Sequence, residues 1–173
     1  MLSLFLSNKG RIGRKTFIFA FLAMSAFIAL GNMGLAWLGE TTNYSVSAFF
    51  VSLFAWSLFL YVPFCVYGKR LHDIGRSSGL TIVMYTLIIL TAIIVMLVFG
   101  GADYFSEFSQ YSRKQEIDPA IAERIQADYI AKQSANMNII KPIMLAIPVA
   151  YTLWLCMAQS DPNSNKYGDP ATL

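Results

Sequence analysis

Histidine, cysteine and formal charge are scarce in this chain, and each scarcity argues against a class of function. There is one histidine, His72, so no paired imidazoles are available to hold a metal ion. The two cysteines, Cys65 and Cys156, lie apart in apolar stretches. There a thiol packs as a small hydrophobe, and no disulfide framework is expected. No glycine-rich phosphate loop follows a strand and no nucleophile motif is present. The expectation is therefore no metal, no cofactor and no catalytic constellation. Charged residues make up 13% of the 173, well under the quarter usual in soluble domains. The long apolar runs hold almost none of them, which argues against ion-coupled transport.

What the chain has instead is apolar surface. Hydrophobic residues reach 56% and the mean hydropathy is +0.52. A soluble fold of this size has too little interior to hide so much. A helix needs about 20 apolar residues to cross a hydrocarbon core of about 30 Å. Four runs reach that length: 16–38, 48–67, 79–100 and 139–158. The first is 23 residues long, beyond the roughly 7–15 of a signal-peptide core, so it is expected to remain as a span. The first three carry no charge, and in the fourth Lys141 sits near one end, where its stem reaches the headgroups. The sequence thus predicts an all-α integral membrane protein, a four-transmembrane-helix bundle. Pro63, Pro142 and Pro148 are expected to kink spans two and four. Ala20, Ser25, Ala29, Gly31 and Gly34 offer span one a close approach to a neighbour.

Flanking charge sets the orientation. Lys9, Arg11, Arg14 and Lys15 precede span one, and Lys69, Arg70 and Arg76 lie between spans two and three. The loop between spans one and two carries only Glu40. By the positive-inside rule the protein is expected in a bacterial inner membrane, multi-pass, with both termini cytoplasmic. The connection 101–138, with four basic and six acidic residues, then lies outside as a partly helical extracytoplasmic insertion. Asp118-Pro119 marks a helix start there. Ile121, Ala122, Ile125 and Tyr129 follow on one helical face, either packed on the protein or open to a partner.

Three polar motifs remain: GRIGRKTF at 10–17, GKRLHDIGRSSG at 68–79 and DPNSNKYGDP at 161–170. All three fall on the expected cytoplasmic side. In these motifs the chain resembles the DUF805 family of bacterial inner-membrane proteins, whose function is unassigned. The signature positions are Gly10, Arg11, Arg14, Arg70, Leu71, His72, Asp73, Gly75, Arg76, Ser77, Asn165, Tyr167, Gly168 and Asp169. The resemblance implies a single DUF805-like membrane domain over 1–173, with 101–138 as an insertion. The chain departs from many members at Leu80-Thr81, where they carry a tryptophan pair.

The motif residues support two readings. Arg70 and Asp73, three apart, can pair on a helical turn, and Arg11 or Arg14 can bridge to Asp73 or Asp169. Ser77 or Ser78 can cap span three. The result is a clasp of Arg11, Arg14, Arg70, His72, Asp73, Arg76 and Asp169 in a structural, accessory or adaptor subunit. The alternative is that Arg11, Arg14, Arg70 and Arg76 converge on an anion, in a binding or transport module for an anionic lipid or small solute. A headgroup enzyme using His72 and Asp73 ranks third, because neighbouring residues on a helix point apart. Expected partners are membrane lipids, anionic ones included, and a membrane-protein partner or a second copy, with no nucleic acid.

Overall fold

The computed structural model describes residues 2–42, 46–111 and 117–170. Its elements are α1 (Leu2–Leu6), α2 (Arg14–Thr42), α3 (Val46–Asp73), α4 (Gly79–Met96), a π-helical turn (Leu97–Gly101), α5 (Ala102–Ser109), α6 (Pro119–Ala135) and α7 (Met137–Met157). Four segments are long and apolar enough to cross a membrane: Arg14–Trp37, Ala48–Asp73, Gly79–Ser109 and Met137–Met157. The chain is therefore an all-α membrane protein with four candidate spans. Its large apolar side chains point outward along these helices, Phe19 and Met33 each 70% exposed. That arrangement suits lipid and not water.

The helices overrun the apolar runs that foretold them. Gly68–Asp73, expected in a loop, is the final stretch of α3. A helix ends where its backbone finds other partners, not where hydrophobicity stops. Arg70 and His72 occupy that last turn, where a cation is favoured by the helix dipole. At Gly75 the chain turns with φ at +76°, and the Ser77 hydroxyl accepts the Gly79 amide (3.2 Å) at the start of α4.

The contacts divide the chain into two compact units, Met1–Val83 with Thr152–Leu173, and Met84–Tyr151. In the first, Phe17, Ala20 and Met24 of α2 are buried, as are Phe59, Val62, Val66 and Tyr67 of α3. Phe17 meets Tyr67 edge to face, ring centres 5.7 Å apart. Gly31 packs directly on the Phe59 ring, where a Cβ would collide. Of the other small residues in span one, Ala20 is buried, Ser25 and Ala29 are exposed, and Gly34 faces open space.

The short helix α1 had no sequence signal. It is held along α3 by the Tyr61 hydroxyl donating to the Leu6 carbonyl (3.1 Å) and the Lys69 ammonium donating to the Ser3 carbonyl.

In the second unit the helical path breaks at Phe99 and Gly100, the latter with φ at +116°. Tyr129 and Lys132 of α6 lie where a Gly100 Cβ would stand. The Asp118 side chain accepts the Ala120 amide (2.9 Å) with Pro119 in the first turn of α6, as its sequence predicts. Ile125 on the expected face is buried, and Tyr129 meets Tyr104 of α5 with ring centres 5.4 Å apart.

Candidate functional site

The first unit gathers the N-terminal motif, the end of α3 and the tail around one carboxylate. Asp73 is completely buried. One carboxylate oxygen is held by Arg70, one helical turn earlier, and the other lies 3.4 Å from Arg11. Two guanidiniums on one buried carboxylate leave an excess positive charge, and carbonyl oxygens surround both.

Arg70 is fully buried too. Its Nε donates to the Leu155 carbonyl (3.1 Å), one Nη to the Ala158 carbonyl (2.6 Å), and the other to the Ser160 hydroxyl (3.0 Å) as well as to Asp73. Arg14, exposed, donates to the carbonyls of Met157 and Ala158 (3.1 Å each). Both arginines thus close the C-terminus of α7, where carbonyls lack helical partners and the dipole favours a cation.

Arg11 laces the tail. It donates to the carbonyls of Asn163 (2.8 Å), Gly168 (3.2 Å) and Asp161 (2.5 Å), and to that of Asp73 (3.3 Å). Its Nε is buried without a hydrogen-bond partner. The tail folds on itself to meet these donors. Asn165 and Gly168 exchange backbone hydrogen bonds (3.1 and 2.9 Å), and Gly168 takes φ at +125°, a conformation that suits glycine.

His72 turns away from Asp73, as its helical neighbourhood requires. Its Nδ1 bonds the Gly10 carbonyl (3.1 Å) and must carry the proton. Its ring stacks on Tyr167, centres 3.7 Å apart and planes within 6°. Its own carbonyl accepts from the Asn165 amide (3.1 Å). Through this stack the central motif and the tail motif share a face.

Of the seven sequence candidates, Arg11, Arg14, Arg70, His72 and Asp73 come together. Arg76 is exposed on the turn after α3 and makes no side-chain hydrogen bond or ion pair among the described residues. Asp169 is exposed and accepts from the Ser164 hydroxyl (2.8 Å), not from an arginine. The tail carboxylate beside the clasp is Asp161, whose backbone amide donates to the Asp73 carbonyl (2.8 Å). The Asn163 amide, then the Asn165 side chain and the Arg11 charge, hold its carboxyl below the ordinary range. Asp-Pro occurs at both 161 and 169, and that repetition was the sequence's signal for this second acidic position.

Among the described residues no three His, Cys, Asp or Glu side chains are grouped to hold a metal ion. The arrangement is a buried ionic clasp in a multi-span membrane protein. Residues 5–111 match the sequence model of a family described as DUF805, protein of unknown function. This is more than half of the chain, which belongs to the DUF805 family. The matched segment contains Arg11, Arg14 and the whole Arg70–Arg76 stretch, and it ends before α6 and the tail. Neither curated proteins nor solved structures give a match.

Proposed function

We propose that this protein is a structural, accessory or adaptor subunit of a bacterial inner membrane, with both termini in the cytoplasm and its clasp forming a fixed cytoplasmic platform. The observation that carries the reading is the pair Arg70 and Asp73, both completely buried and bonded to protein groups. A site that exchanges ligand keeps charged donors accessible, whereas this one turns them to backbone carbonyls. Orientation is supported by the basic residues around Arg11 and Arg70, which mark the side of synthesis. Anion binding at the same arginines draws less support, because Arg11, Arg14 and Arg70 all have protein acceptors.

The test is purification in mild detergent followed by mass analysis of the intact complex. A stoichiometric membrane-protein partner is expected with the wild type. It should be lost with Arg11→Gln, which unlaces the tail while the spans stay inserted. A wild-type chain that purifies with lipid alone would sink the adaptor role.

A further inference from the structure

In the second unit, α5 and α6 pack together with two unlike faces. Asp103 and Glu107 of α5 are four apart, as are Asp128 and Lys132 of α6, so each pair lies on one helical stripe. The four side chains border a small hollow between the helices, where Lys132 pairs with Asp103. Phe105 and Ile130 stand about 200° of helical rotation from Asp103 and Asp128, on the other face. There Met96 of α4, Phe105 of α5, and Gln126 and Ile130 of α6 line a hollow of about 320 Å³. Tyr104 and Tyr129 border both hollows and separate them.

Phe105 and Ile130 are each 53% exposed, and the surface they extend already faces lipid. Met96 ends α4, and Ile93, Ile94, Leu97 and Val98 around it are exposed on a segment long and apolar enough to cross a membrane. Residues 93–102 include no polar side chain. The lipid-facing surface of α4 therefore runs into the hollow without interruption.

The chain also ties both helices to the ends of spans. α5 follows the π-helical turn directly, and a single residue, Asn136, separates α6 from α7. Phe105 lies four residues from Gly101, about 6 Å along a helix, and Ile130 lies seven from Met137, about 10 Å. The headgroup layer on each side of a bilayer is about 5–8 Å deep, so both side chains stand within reach of it. The kink at Phe99 and Gly100 takes α5 off the line of α4. Tyr104 and Tyr129 belong to the residue type that concentrates at that layer. Glu123, on the stripe of Ile130 and two turns further out, is exposed and marks where this face becomes polar.

An apolar face left in water is costly. The bilayer that wets the adjoining surface of α4 covers this one with no further partner. We propose that α5 and α6 form a membrane-surface element: the Phe105–Ile130 face sits in the interfacial layer with lipid filling its hollow, while Asp103, Glu107 and Asp128 face water.

The experiment places the photoreactive residue p-benzoylphenylalanine at Phe105, Ile130, Glu107 or Asp128 of the full chain, reconstituted in phosphatidylcholine vesicles. After irradiation, mass analysis of the intact protein counts chains that have gained one phospholipid. The Phe105 and Ile130 variants are expected to give a several-fold excess of such adducts over the Glu107 and Asp128 variants. Equal yields from the two faces overturn the proposal. A crosslinked dimer as the main product at Phe105 or Ile130 does so too, by assigning the face to a second copy. In native membranes, a foreign protein as the main adduct there has the same force.

Depth is read separately by electron paramagnetic resonance. A spin label at Phe105→Cys or Ile130→Cys, in a Cys65→Ala, Cys156→Ala background, should be more accessible to oxygen than to a water-soluble nickel chelate. A label at Glu107→Cys should show the reverse. Greater nickel access at Phe105 and Ile130 ends the lipid assignment. Neither measurement depends on which side of the membrane α5 and α6 occupy or on whether a protein partner co-purifies, so this reading and the adaptor role fail separately.

Discussion

A single carboxylate, Asp73, holds together the charges of the clasp. Removing it leaves the Arg11 and Arg70 guanidiniums buried and facing each other. Truncating one member of such a pair costs about 3–5 kcal/mol. Asp73→Ala is therefore expected to lower stability in mixed-micelle denaturant titrations by that amount and to expose the tail to protease. Arg76→Gln, on the exposed turn nearby, should change stability by no more than about 0.5 kcal/mol. Equal effects of the two would remove Asp73 from its central place. The Arg70–Asp73 pairing was legible in the sequence because it needs only a helical turn. The other partners of Arg70 were not, because backbone carbonyls of α7 have no residue-type signature. The choice between Asp161 and Asp169 was equally hidden. It depends on the backbone turn at Gly168, which carries Asp169 past the clasp to Ser164.

Helix existence followed from apolar length, but helix ends followed from local chemistry that hydropathy ignores. The Asp118-Pro119 start was readable because a cap and its proline are local. The extension of α3 through Asp73 was not, since its charged residues look like loop. Five-residue α1 is too short to be stable alone and exists through Tyr61 and Lys69. The break at Gly100 is the element most open to test. A side chain there would suffer both the positive φ and contact with Lys132 Cβ at 3.3 Å. Gly100→Ala should destabilise the α5–α6 packing by about 1–2 kcal/mol, read as faster hydrogen exchange in α6. Unchanged exchange in α6 would show that the break is not needed for the packing.

For the molecule as a whole, orientation is the property on which every assignment of sides depends. A fluorescent reporter that folds only in the cytoplasm, fused after Leu173, is expected to be bright. Protease added to spheroplasts should cut near Lys132 in α6, or at Arg113, which lies outside the described residues, and leave the tail whole. A dark fusion and a clipped tail would reverse the topology. The family was legible from the three motifs, and its sequence model matches 5–111, while the tail needed the structure to show what it binds. Arg70 also links two stretches far apart in sequence, because its acceptors at Leu155, Ala158 and Ser160 come 85 to 90 residues later. A ribosome has therefore added all of those later residues before this guanidinium can leave water for those oxygens. The lock shuts only once the end of α7 and Ser160 have been made, and a chain cut short of them would display a raw arginine to the cell's proteases.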